Sequence, residues 1–277
     1  MRRSVLIGCV LATISLTIAA CDKKPASEPT PKGNETPTKG LSTASGRSEA
    51  DQQASRDSLN QIWLGVCSHH DTYMKLPTHS WMLGKGMRLA GGLSWRVHLL
   101  PFLKQEGLYK QFKLDEPWDS ENNKKLIEKM PKVYASPGVA AEPGQTYFKV
   151  FAGPGLVFDP ESTNASQITL ADGTVNTILA VEGGSPVIWT KPDDVAFDQK
   201  KPVPDLSLAG VRKVNIIMFA GAIRTLDLDQ ISEATLKAAI TPAAQDVLGP
   251  DWKSAAPEVP KKKEPPVPPP SRGPTGR

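Results

Sequence analysis

Four histidines fall between positions 69 and 98: His69, His70, His79 and His98. With Asp71 they offer the imidazole and carboxylate ligands that transition metals take. The spacing works against a shared ion. Adjacent residues on a helix diverge by about 100°, so His69 and His70 would point apart. No closed set of ligand spacings of the zinc-site kind occurs either. His70-Asp71, just upstream of Leu76-Pro77, is expected instead to cap or hydrogen-bond the end of a helix. Asp172-Gly173, Asp193-Asp194 and Asp227 with Asp229 offer oxygen ligands for calcium. None has the spaced acidic loop of an EF-hand, and turns or solvated loops account for them. Gly153-Pro154-Gly155 and Gly183-Gly184 do not lead into Lys-Ser or Lys-Thr, so neither is a phosphate loop. No Gly-x-Ser-x-Gly elbow is present. Trp81, Trp95, Trp118 and Trp189 could line a glycan or peptide groove, although aromatic residues more often fill cores. No catalytic residue, cofactor or metal ligand is expected.

The residue with the clearest chemistry is Cys21. It closes a stretch that opens with Arg2-Arg3, continues as an uncharged apolar run and ends in Ile18-Ala19-Ala20-Cys21. A basic start, an apolar middle and small residues at the end make a secretory signal. The run from Ser4 to Ala20 is short for a bilayer span of roughly 20 residues. Ile18-Ala19-Ala20-Cys21 resembles the lipobox of bacterial lipoproteins, whose cysteine receives lipid and becomes the mature N-terminus. The resemblance implies lipidation of Cys21 and a membrane as partner. Of the three cysteines, Cys9 leaves with the signal and Cys21 carries lipid, so Cys67 is expected as a small core residue. A formal charge of +4, without a basic stripe interleaved with aromatics, argues against a nucleic-acid partner.

The elements that would position these residues divide the chain into four parts. Residues 1–20 form the signal. Residues 21–54 are rich in Lys, Glu, Pro, Ser, Thr and Gly and read as a disordered tether. Residues 55–253 read as the folded domain. Residues 254–277, with Lys261-Lys262-Lys263 and Pro268-Pro269-Pro270, read as a disordered tail. Within the domain, Leu59, Ile62, Trp63, Val66, Cys67 and His70 share one face of a predicted helix that Leu76-Pro77 stops. A second helix runs over 94–106, with Pro101 kinking or splitting it. A third follows Asp119 as N-cap. Short strands are predicted at 147–151, 176–181 and 187–189, with Gly183-Gly184 as a turn between the last two. Residues 214–219 and 223–228 read as a hairpin about Ala220-Gly221-Ala222. Ser232 caps a last helix. Helices first and strands afterwards make an α+β domain with an antiparallel sheet.

The order of motifs carries a resemblance. Ser58-Leu59-Asn60-Gln61-Ile62-Trp63-Leu64-Gly65 and His70 to Pro77 resemble the opening of a large planctomycete family, domain of unknown function 1559, also labelled bacterial solute-binding family 10. Leu93 to Leu103, Asp172 to Ile178, Val181-Glu182, Trp189 to Asp194, Asn215 to Leu226 and Leu236 to Thr241 are similar to its later blocks. The resemblance implies a pseudopilin-like fold, an N-terminal helix packed on an antiparallel sheet. The chain departs from the family twice. A lipoprotein signal and tether stand where members carry an apolar pilin helix. Ala220-Gly221 stands at the Asp-Gly of the closing signature, with no His before it. The expectation is a non-catalytic, lipid-anchored envelope protein facing the periplasm or exterior, with an envelope protein or polymer as partner. A solute- or glycan-binding lipoprotein is the alternative, and a metal-dependent enzyme the weakest reading. Oligomeric state is not legible.

Overall fold

The computed structural model describes residues 47–77, 92–158, 175–242 and 248–260. Cys21, His79, Trp81, Asp172-Gly173 and Lys261 to Lys263 lie outside the described residues. The first helix, α1, spans Glu49–Tyr73. Ser48 starts it: its hydroxyl accepts from the Asp51 amide at 3.1 Å, which satisfies one of the orphan donors of the first turn. Leu59, Ile62 and Val66 recur at helical spacing and are buried. Gly65 sits on the same side, where a Cβ would lie 3.3 Å from Leu103 Cδ2, so its missing side chain lets Leu103 pack close.

The predicted helix over 94–106 is split, as Pro101 requires. Helix α2 is Trp95–His98, a 3-10 turn covers Leu100–Leu103, and α3 is Glu106–Tyr109. The third predicted helix is a 3-10 segment, Asn123–Lys129, and Asp119 does not cap it. Asn123 organises that region instead. Its amide donates to the Lys113 and Pro117 carbonyls at 2.9 and 3.0 Å, and its side-chain oxygen accepts from the Lys113 amide.

Six strands follow: β1 (Gln145–Lys149), β2 (Phe151–Ala152), β3 (Ile178–Ile188), β4 (Val195–Ala196), β5 (Lys213–Met218) and β6 (Ile223–Asp227). β1, β3, β5 and β6 form an antiparallel sheet in that order; β2 and β4 make a small parallel pair. The two strands expected on either side of Gly183-Gly184 are one strand of 11 residues, β3. The glycines serve a crossing chain rather than a turn. A Cβ on Gly183 would sit 2.3 Å from the Leu206 carbonyl oxygen, and Gly184 has φ of +72°. Only residues without a side chain let the 205–208 segment lie that close to the strand. The expected hairpin is present. Gly221 has φ of +84°, and a Cβ there would come within 2.7 Å of the Trp63 ring.

Side chains alternate across the sheet. Phe148, Ala180 and Ile217 face α1 with Leu59, Ile62, Trp95 and Trp189. Tyr147, Val181, Val214, Ile216 and Leu226 face away, covered by Leu236 and Ile240 of α4 (Glu233–Ile240) and Trp252 of α5 (Trp252–Ala255). The fold is α+β, an N-terminal helix on a four-stranded antiparallel sheet with short further helices. Helix α1 begins at Glu49, ahead of residue 55, and the described residues run on past 253 to Pro260. Residues 256–260 lie along β6: the Val259 amide donates to the Ile223 carbonyl at 3.0 Å, and Arg224 donates to the Ala256 carbonyl at 2.8 Å.

Candidate functional site

Two buried charge clusters lie against the sheet, and neither was found by sequence reasoning. In the register, Phe148 opposes Glu182, Glu182 opposes Asn215, and Asn215 opposes Thr225. That row faces α1. Glu182 is fully buried, and four hydrogen bonds reach its carboxylate. Arg47 donates to both oxygens at 3.1 Å, Ser55 donates to Oε1 at 2.7 Å, and Asn215 donates to Oε2 at 3.0 Å. Arg47 also donates to the Ser55 hydroxyl and, at 3.0 Å, to the Pro137 carbonyl. A buried carboxylate is tolerated when a bidentate cation and further donors satisfy it. The polar Ser55, four residues before Leu59 on the apolar stripe, was the available signal. So was Glu182, which interrupts the run from Ile178 to Val181.

The second cluster centres on Arg96, fully buried in α2. It donates to Phe148 O at 2.9 Å, Ser94 Oγ at 2.8 Å and Asp194 Oδ1 at 2.8 Å. Asp194 Oδ1 also accepts from Trp95 Nε1 and the Val150 amide, both at 3.1 Å. The Tyr134 hydroxyl donates to the Arg96 carbonyl at 2.8 Å, and burial pushes its pKa up. Lys149 lies nearby under the Gly184 bulge, donating to the Ser185 carbonyl at 2.8 Å. Burial first, then the Arg96 charge, lowers its pKa.

The candidates read from sequence do not converge. His69 is buried, and its Nδ1–H donates to the Lys75 carbonyl at 2.8 Å, so His69 ties the end of α1 where His70-Asp71 was expected to. His70 lies 4.0 Å from Asp71, and its backbone carbonyl accepts from the Met74 amide. Burial lowers the His69 pKa from its ordinary value, opposed by the Lys75 hydrogen bond. His98 is buried in α2. Among the described residues, no three His, Cys, Asp or Glu side chains gather to hold a metal ion. Asp193 pairs with Lys191 and Asp227 with Lys213, at 2.8 and 3.4 Å, and Asp229 pairs with Arg212. Trp95 and Trp189 are core residues. Trp189 stacks on Tyr134 and donates to the Ile127 carbonyl at 2.8 Å, so these tryptophans line no groove. Trp118 is half-buried beside Lys191. Cys67 is half-buried in α1.

A cleft of about 540 Å³ opens between Leu156, Phe197, Lys200 and Pro242. Its carboxylate, Asp198, is occupied by the Lys200 amide at 2.9 Å and Lys201 at 3.7 Å. The surface is more telling at the end of α1. Met74 is left-handed (φ +54°) and 65 % exposed, and the neighbouring Tyr73 is 47 % exposed. A left-handed residue with a side chain costs roughly 1–2 kcal/mol, and glycine would relieve it.

Residues 45–147 match the model of the family SBP_bac_10, described as a protein of unknown function (DUF1559). Residues 45–147 carry the DUF1559 domain. The match begins two residues before Arg47 and ends at Tyr147 in β1. It therefore holds Arg47, Ser55 and Arg96, while Glu182, Asp194 and Asn215 lie beyond it. No curated protein and no solved structure matches the chain.

Proposed function

We propose that this DUF1559 chain is a non-catalytic lipoprotein of the cell envelope, anchored by lipid on Cys21, whose domain contacts an envelope protein or polymer. The observation that carries the contact is Met74 with Tyr73. A large apolar side chain is held in water on a strained backbone, at a helix end where glycine would be easier. Strain retained at a surface points to a use for it. The anchor rests on the signal and lipobox residues. Among the described residues, no helix is long and apolar enough to cross a membrane. The attachment of the tether suits an anchor too. Arg47 is bonded to the second strand of the sheet, β3, and to Ser55 of α1, so a load on the chain preceding it enters the fold at its centre. The buried charges support a scaffold reading, because Glu182, Arg96 and Asp194 are all engaged by protein partners.

Two experiments test the proposal. Cys21→Ser should abolish metabolic labelling with a fatty acid and release the protein from membranes; persistent labelling refutes the anchor. A photo-crosslinking amino acid at position 74 should capture a reproducible envelope component in living cells, and the same group at Asp57 should not. Equal capture at both positions, or none at 74 with a bound solute recovered instead, refutes the contact.

A further inference from the structure

The β6 edge is covered by an occupant that fits it incompletely. Glu258 stands opposite Arg224, which places Pro257 opposite Thr225 and Val259 opposite Ile223. In an antiparallel pair, every second facing couple exchanges two hydrogen bonds. Here the Val259 amide donates to the Ile223 carbonyl at 3.0 Å, while the Thr225 amide reaches the Pro257 carbonyl at 3.4 Å. Pro257 has no N–H to return, so the Thr225 couple is half made. Arg224 is served just as partially. Its Nη1 donates to the Ala256 carbonyl at 2.8 Å, and Nη2 stands 3.6 Å from the Glu258 carboxylate, beyond hydrogen-bond reach. Its Nε is buried without an acceptor among the described residues. Glu258 is 54 % exposed, and of residues 256–260 only Ala256 is buried. On the α1 side, Ile223 and Val259 border a groove of about 270 Å³ with Gln53 and Asn60, so the valine leaves room that a larger apolar side chain could fill.

We propose that the β6 edge is a docking site for an extended, acidic segment of another protein, with residues 257–260 as its exchangeable placeholder. The segment adds to the sheet as an antiparallel strand. Its chemistry follows from the edge. Opposite Thr225 it brings a residue other than proline, whose N–H completes the couple. Opposite Arg224 it brings an aspartate or glutamate, whose two oxygens take Nε and Nη2 together. Opposite Ile223 it brings a leucine-sized side chain that enters the groove beside α1. A second copy's Pro257-Glu258-Val259 would repeat the same half-made couple, so the charge and the missing N–H favour a different chain. Met74 lies about 20 Å further along α1 than Asn60, so this surface stands independently of the contact proposed at the helix end.

The probe is a fluorescein-labelled peptide, Thr-Val-Thr-Glu-Leu-Thr-Val, read by anisotropy against the full chain in detergent. Val259→Pro removes the shorter backbone bond of the placeholder, so that variant should bind the peptide about 5-fold tighter than the unaltered chain. Replacing the peptide's Glu by Gln should weaken binding to Val259→Pro by at least about 10-fold, and replacing the Thr before it by Pro should weaken binding about 5-fold. In Val259→Pro/Arg224→Gln the Glu and Gln peptides should bind alike. No binding to Val259→Pro, equal binding of the Glu and Gln peptides, or a Glu preference that survives Arg224→Gln overturns the proposal. So does a Val259→Pro chain that self-associates in light scattering and excludes the peptide, which makes a second copy the occupant. Where Arg224→Gln lowers the urea midpoint, Arg224→Lys, which keeps the charge and loses the bidentate geometry, should shrink the same preference, and an undiminished preference there overturns the proposal as well.

Discussion

Arg47→Met is the sharpest test of how the start of α1 is held to the sheet. It removes the bidentate partner of a fully buried carboxylate and leaves Glu182 with Ser55 and Asn215 as donors. Breaking a buried pair from one side costs about 3–5 kcal/mol. Arg47 is 6 % exposed, so water can reach the vacated place, and the loss should fall at the lower end, about 3 kcal/mol. Glu182→Gln should cost a similar amount, because it strands the guanidinium. The double variant should be less destabilised than the two losses added, by roughly 1.5–3 kcal/mol, since neither charge is then left alone. Urea unfolding followed by tryptophan fluorescence reads this directly, because Trp95 and Trp189 lie in the core on the α1 side. With a slope of about 1–3 kcal/mol/M, the midpoint for Arg47→Met should drop by roughly 1–3 M. A loss under about 1 kcal/mol, or losses that add within about 0.5 kcal/mol, would refute the claim that Arg47 belongs to the core. A chain beginning at Gln53 should lose more than Arg47→Met, because it also removes the Ser48 cap and the first turn of α1.

Gly221→Ala combines a left-handed backbone with a Cβ 2.7 Å from Trp63, so it should cost at least about 2 kcal/mol in thermal or urea unfolding; a neutral result would mean that Trp63 moves freely. Met74→Gly should raise stability by about 1 kcal/mol while reducing crosslinked capture near α1's end, and a stability loss would remove the strain argument. His69 has its folded pKa below the unfolded value of about 6.5, so the unfolded state takes up the proton first. Stability should therefore fall as pH drops through about 6.5, levelling below the folded pKa, and His69→Gln should flatten that dependence in urea titrations at several pH values. Asp251 has a folded pKa lowered to about 2, chiefly by the Thr235 hydroxyl. Its contribution is present above the unfolded carboxylate range and is lost as pH falls through about 2, so Asp251→Asn should flatten acid unfolding. Deleting residues 256–277 exposes the β6 edge and should raise the solution mass measured by light scattering; an unchanged mass would show that the edge needs no cover.

What was legible in the sequence was what short-range periodicity encodes. The α1 stripe, the split at Pro101, the β5–β6 hairpin about Gly221 and the Ser232 cap all follow from spacing and turn chemistry over a few residues. What was not legible depended on segments far apart in the chain. Gly183-Gly184 looks like a turn because its two glycines say only that no side chain fits; that the obstacle is the Leu206 carbonyl is a tertiary fact. Arg47 looks like part of a tether because Ser, Gly and Thr surround it, and its partner lies 135 positions away. His69 and His70 exchanged roles because the turn after α1 brings the Lys75 carbonyl to the buried ring. Trp95 and Trp189 were ambiguous in sequence and were decided by the rings packed against them.

The sheet's two edges bear on how such a domain would meet a partner. An open edge is a template for pairing with another chain. At β1, Arg96 donates to the Phe148 carbonyl, and the Val150 amide just past the strand is taken by Asp194, so side chains occupy places where a strand would bond. At β6, residues 256–260 take the edge, and Pro257 and Pro260 bring no N–H for a further strand. The charges that look most like chemistry in this fold thus close it at one edge and hold the start of α1 to the centre of the sheet. Under the proposed contact, a partner meets side-chain surfaces, and Met74 at the end of α1 is the more exposed candidate, beside Tyr73, whose ring packs partly on His69 and Phe102.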